Sequence, residues 1–147
     1  MSFYELILVM HDITRWLVLV VGIYAVVRAF VGWLGKKPWV KADNSAGVSF
    51  TSILDIQVLL GLVLYFVSPI TTAGLRNFAG AMGNAVSRFF LVEHTLMMIV
   101  AIVVAHIGRA QSKKAASDLS KHRRAALWFL ASFVLVLAAI PWERLFK

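Results

Sequence analysis

The sequence predicts an all-α integral membrane protein, a single four-helix bundle with both termini on the outer, periplasmic face. Three observations carry that expectation: a composition too apolar for water, four apolar runs long enough to cross a bilayer, and basic residues gathered in two of the three connections. Of 147 residues, 61% are hydrophobic and 15% charged, and the mean hydropathy is +0.82. A soluble domain carries roughly a quarter charged residues and under half apolar ones. The same apolar content excludes a disordered chain. Cysteine is absent, which removes a disulfide framework, an iron–sulfur cluster and thiolate-ligated zinc or haem.

A bilayer core about 30 Å thick takes roughly 20 apolar residues in helical form. Spans are therefore predicted at about 3–34, 50–67, 86–107 and 125–140, all within one domain covering 1–147. These runs are too long for barrel strands, and a helix satisfies its own backbone in lipid. The first run lacks a basic start and a small-residue cleavage site, so it reads as a retained span rather than a signal peptide. It also exceeds the bilayer thickness, which implies tilt or a last few turns in water.

The formal charge of +8 resolves into topology. Arg28, Lys36, Lys37 and Lys41 flank the first connection, and Arg109, Lys113, Lys114, Lys121, Arg123 and Arg124 flank the third. The opposite side has Arg76, Arg88, Arg144 and Lys147, with Arg15 inside the first span. The positive-inside rule then puts the two basic connections in the cytoplasm and both termini outside, in a multi-pass protein of the bacterial inner membrane. Membrane lipid is the surrounding partner, and nucleic acid is not a partner.

Ionisable or strongly polar residues within spans cost on the order of 2–3 kcal/mol each at mid-membrane and mark functional positions by default. Here they are His11, Asp12, Arg15, Arg28, Asp55, Gln57, Arg88, Glu93, His94 and His106. His11 and His94 each lie about eight residues into a span that starts on the outer face, so each sits about 12 Å below that surface. Two imidazoles at matched depth on two helices are what a six-coordinate b-type haem requires, and such a haem needs no cysteine. Arg15, one turn below His11, and Arg88, near the outer surface, are the candidate partners of the haem propionates; Arg88 is better placed by depth, and Arg15 has Asp12 or Glu93 as alternative partners. Gly22 and Gly61 would let a flat ring or a neighbouring helix approach closely, and Met97, Met98, Phe89 and Phe90 would give a soft lining. Hydrogen-bonded packing histidines, or a metal site completed by Asp12 or Glu93, are the other readings of the pair.

His106 lies about 18 Å deeper than His94 and about 120° round the helix. At that depth the first span offers Tyr24 and Arg28, and His122 at the entrance to the fourth span is an exposed partner. One haem is therefore expected, not two. Asp55 and Gln57, taken to lie near the cytoplasmic start of the second span, could receive a proton or a quinone head group with Arg28 or His106; an Asp55–Arg28 ion pair is the simpler expectation.

Several segments together resemble a family: His11 with Arg15-Trp16, Ile56-Gln57 followed by Leu59-Leu60-Gly61-Leu62 and Leu64-Tyr65-Phe66-Val67-Ser68-Pro69, Arg88-Phe89-Phe90 with Glu93-His94 and Met97-Met98, Lys121-His122-Arg123, and Ala139-Ile140-Pro141-Trp142. Over nearly the whole chain they are similar to the small four-span bacterial inner-membrane proteins commonly labelled cytochrome b. The resemblance implies a b-haem electron-transfer protein, a small subunit of a respiratory or other membrane complex, more a carrier than an enzyme by itself. A non-catalytic subunit that anchors a larger membrane assembly is the rival expectation. A transporter is disfavoured because four spans with no inverted repeat do not supply alternating access.

Overall fold

The computed structural model describes residues 1–145; Lys147, counted above among the outer cations, lies outside the described residues. The elements are α1 (Phe3–Leu34), α2 (Lys41–Val67), α3 (Pro69–Arg76), α4 (Phe78–Gly83), α5 (Ala85–Lys114), α6 (Asp118–Ala139) and α7 (Trp142–Leu145), with no strand among the described residues. Four of them, α1, α2, α5 and α6, are long and apolar enough to cross a membrane.

The helix ends follow local chemistry. Ser2 and Glu5 form a capping box at the start of α1, each side chain bonding the other's backbone N–H at 3.2 and 2.7 Å, a device worth about 1 kcal/mol. Asp43 accepts from Val40 N–H at 2.8 Å where α2 begins, and Ser117 caps α6 through Ser120 N–H. The α1–α2 connection turns through Lys36, the one described non-glycine residue with positive φ (49°). Ser68-Pro69 and Ile140-Pro141 end α2 and α6, because a residue before proline is pushed out of the helical region; Ser68 and Ile140 stand at ψ 134° and 129°.

The membrane-length helices begin earlier than hydropathy alone suggests. α2 starts at Lys41 instead of about 50, and α6 at Asp118 instead of about 125. Their first two turns are polar and capped, so they are invisible to an apolar-run criterion but fully helical. The connection over 68–84 is also not irregular: it folds into the short helices α3 and α4, capped by Asn77 at Gly80 N–H.

α1 packs on α2 and α6, and α5 packs on α6 and α2, which leaves α1 and α5 across the diagonal of the bundle. The half nearest the α1–α2 and α5–α6 connections is filled by Ala25, Ala29, Ala46, Ala101, Ala105, Ala125 and Ala126, all buried. Small side chains let the helix backbones come close, the packing mode that replaces hydrophobic drive in lipid. Phe50 and Phe129 lock the middle edge-to-face, centroids 5.6 Å apart. Gly22 is required there: a Cβ would lie 2.6 Å from the Phe133 ring. Ser132 donates to Ala101 O at 2.7 Å across α5 and α6. Outward faces carry Val20, Leu59, Leu96 and Val134, all exposed, as a lipid-facing surface requires.

Candidate functional site

In the half of the bundle near the termini the packing opens into a cavity of about 300 Å³, at the lower end of the roughly 300–1,000 Å³ typical of ligand sites. All four long helices, α3 and α7 contribute to its wall, and both His11 and His94 line it. Their rings meet across the bundle diagonal with centroids 6.2 Å apart and planes at 72°.

His94 is aimed by two features of the backbone. Phe89–Glu93 forms a π-helical turn within α5 immediately before it. An extra residue in a turn rotates everything after it by roughly 100°, so this turn sets the face on which His94 emerges. The turn is pinned from α2, where the Tyr65 hydroxyl donates to Leu91 O at 3.1 Å. The second feature is the end of α6. Pro141 stops that helix, so the carbonyl of Ala139 is one of the four that a helix C-terminus leaves without an intrahelical partner. His94 Nδ1 lies 2.7 Å from it. A carbonyl only accepts, so Nδ1 carries the proton and Nε2 keeps its lone pair free. Phe89 and Phe90 flank the ring at centroid distances of 5.8 and 5.9 Å.

His11 is held from α2. Gln57, buried at 4% exposure, places its amide nitrogen 3.1 Å from His11 O and 3.3 Å from His11 Nε2, while its carbonyl oxygen meets the Thr14 hydroxyl. Gly61 on the same helix gives the ring its room; a Cβ there would sit 3.3 Å from His11 Cε1. His11 Nδ1 is buried without a hydrogen-bond partner.

The arginines divide. Arg15 lines the cavity, its Nη1 2.9 Å from Asp12 Oδ1 and its Nε buried without a partner. Arg88 does not line it: its Nε pairs with Glu93 Oε1 at 2.8 Å and its Nη1 reaches Met82 O at 3.3 Å, both exposed contacts. The cation at the rim is instead Arg144 of α7, which lines the cavity and covers the Phe90 ring at 5.2 Å. Arg144 was visible in the sequence only as a charge beyond the last span; the Pro141 bend that returns it over the cavity is tertiary.

The expected Asp55–Arg28 pair is not formed. Arg28 Nε is 2.7 Å from Asp43 Oδ1, and Asp55 Oδ1 is 2.8 Å from His106 Nε2. Because α2 starts at Lys41, Asp43 rather than Asp55 faces the end of α1, and Asp55 lies about 18 Å further along the helix. Asp55 and Gln57 are thus mid-helix residues. The two turn to different surroundings: Gln57 inward to His11, Asp55 toward His106 with both side chains of that pair nearly half exposed. His122, expected to be exposed, is 1% exposed, packed on Trp39 at 4.9 Å with Nε2 3.4 Å from Pro38 O. It closes the opposite end of the bundle and does not meet His106. Of the proposed lining, Phe90 and Met98 reach the cavity, whereas Met97 packs against the hydrophobic core.

Chemically, the cavity offers two imidazoles from opposite sides, one guanidinium at depth, one at the rim, and apolar walls. An imidazole–metal bond is about 2 Å long, so two rings sharing one ion have centroids roughly 6 Å apart, as these do. Asp12 and Glu93 are engaged by arginines, and among the described residues no group of three or more His, Cys, Asp or Glu side chains is placed to hold a metal ion. Gln57 and Ala139 O, which control the two imidazoles, had weaker signals: Gln57 is a buried amide in an apolar run, and only the Ile140-Pro141 helix stop hints at a free carbonyl. The chain matches no protein-family model, no curated protein and no solved structure.

Proposed function

We propose that this protein is a membrane-embedded b-type cytochrome, binding one haem b between His11 and His94 and serving as a small electron-transfer subunit of a larger membrane complex. The observation that carries the reading is the diagonal pair itself: imidazoles from α1 and α5 facing across a cavity at 6.2 Å. Three details support it. The His94 ring is fixed by a backbone carbonyl in the tautomer a ligand needs, as the outer shell of a ligating histidine does. Gly61 leaves a cradle beside His11 that a Cβ would crowd. Arg15 and Arg144 line the cavity and supply positive charge at depth and at the rim for acidic substituents, a role Arg88 fills less well because it stands outside the lining, on Glu93.

When bound, the haem supplies one-electron redox chemistry. The chain's own residues would set its environment: His11 and His94 hold it, the arginines orient its acidic edge, and the apolar walls from Leu8, Leu64, Val136 and Ile140 keep water from it. In this reading the termini face the periplasm of a bacterial inner membrane, with the basic connections in the cytoplasm, and electrons come from a quinol or a partner subunit. A second reading, an accessory subunit without redox role, draws on the Asp55–His106 pair, nearly half exposed at membrane depth. Such a pair is costly against hydrocarbon and favours a neighbouring subunit over lipid under either reading.

The test is the visible spectrum of protein purified from haem-replete cells, oxidised and dithionite-reduced. A sharp reduced b-type band, altered or lost in both His11→Ala and His94→Ala, is the expected result. Folded but colourless protein overturns the cytochrome reading and leaves the accessory one.

A further inference from the structure

The two histidines are not equivalent, and the difference can be worked out from acceptor chemistry alone. His11 O is a backbone carbonyl and can only accept, so the Gln57 side-chain atom 3.1 Å from it must be the amide nitrogen. That orientation leaves the Gln57 oxygen against the Thr14 hydroxyl, which can donate to it. The same amide nitrogen is 3.3 Å from His11 Nε2. An NH₂ group has hydrogens and no lone pair to offer, so His11 Nε2 must be the acceptor and the ring proton is on Nδ1. His11 thus has its one basic nitrogen occupied by Gln57, and its Nδ1–H buried without a partner. His94 is the reverse: its Nδ1–H donates to Ala139 O, which leaves the lone pair on Nε2. At 4% exposure Gln57 makes these contacts at the buried wall of the cavity.

We propose that Gln57 is a positioning residue that caps the coordinating nitrogen of His11, making His94 the permanent axial ligand and His11 the exchangeable one. The inference rests on the haem reading above. It goes beyond it in assigning the His11 side of the cavity as a displaceable position, open to a small neutral ligand whenever the Gln57 amide retains His11. His11 becomes a ligand through Nε2 only when the amide moves away, and Thr14 and His11 O are the contacts that resist that movement.

The tests use the full chain in detergent, with carbon monoxide as the probe ligand. In the reduced haem protein, wild type is expected to bind carbon monoxide readily, and Gln57→Leu at least about tenfold more weakly, since outer-shell changes shift ligand affinity by about 10–100-fold. His94→Ala should lose most of its haem, whereas His11→Ala keeps it and becomes wholly high-spin, losing the low-spin fraction that exchange of His11 gives wild type. Independently of haem, ¹⁵N NMR of the histidine side chains in haem-free protein should show His11 protonated at Nδ1; protonation at Nε2 overturns the proposal. So does wild-type haem protein that refuses carbon monoxide and matches Gln57→Leu in spectrum. Gln57→Met serves if Gln57→Leu does not fold, and the NMR measurement needs no variant for its readout. Absence of any haem would sink the cytochrome reading, while the His11 tautomer would still decide whether Gln57 caps that nitrogen.

Discussion

His94 Nδ1 lies 2.7 Å from the carbonyl oxygen of Ala139, the last residue of α6. A helix stop on one element therefore decides which nitrogen another element presents to the cavity. The chain of cause runs from Pro141, through the extended Ile140, to a carbonyl with no partner in its own helix, and so to the His94 tautomer.

Pro141→Ala should weaken that link. An alanine lets the helical hydrogen bonds continue past Ala139 and compete for its carbonyl. Cofactor affinity is expected to fall by about 10–100-fold, read by haem titration of the purified variant, with helix content by circular dichroism unchanged. An unchanged affinity would show that Ala139 does not control His94.

Gly61→Val should displace His11. A Cβ at Gly61 already meets His11 Cε1 at 3.3 Å, so alanine requires a shift of only a few tenths of an ångström, and the two further methyl groups of valine drive into the ring. Overpacking of this kind costs about 1–3 kcal/mol. Thermal unfolding in detergent should rank both wild type and Gly61→Ala above Gly61→Val; equal stability for all three would mean that the ring has room to spare.

The Asp55–His106 pair should behave as a unit. Replacing one partner leaves a polar group alone at membrane depth, while Asp55→Leu with His106→Leu removes both and matches a lipid surface. The double variant is expected to be at least as stable in detergent as either single, with single losses of up to about 1 kcal/mol, the upper range for exposed pairs. If the face is covered by a neighbouring subunit in the membrane, the double variant loses that association while staying folded. Co-purification before and after the change measures it.

Topology can be read directly. Cysteines introduced at Ser2 and at Glu143 should be labelled by a membrane-impermeant reagent from the periplasmic side of intact cells, and one at Ala116 in the α5–α6 connection should not. Labelling at Ala116 alone would invert the orientation.

Four apolar runs, a basic bias and two histidines at matching positions along their helices were legible because each depends on residue type and spacing along the chain. Hydropathy finds a span through its apolar centre, and two polar helix starts were missed for the same reason: 41–49 and 118–124 are helical through caps and tertiary packing, not through hydrophobicity. The Arg28 pairing followed that error, since an Asp43 taken to be in a loop was not a candidate. The division between Gln57 and Asp55 was also out of reach. Two residues apart on one helix, they differ by about 200° in direction, and which neighbour each meets depends on where α1 and α5 stand.

By itself, then, the sequence determined that the chain folds into helices able to cross a membrane, how many there are, and how far along their helices His11 and His94 lie, because helical rise and hydrophobic transfer are local quantities. The tertiary structure decided the rest. It set α1 and α5 on the diagonal so that the imidazoles face each other, brought Gln57 to one ring and Ala139 O to the other, turned Arg144 over the rim, and left Arg88 with Glu93. Those are relations between helices, fixed by small-residue packing, a π turn and a proline stop, and no periodicity along one helix can report the position of another.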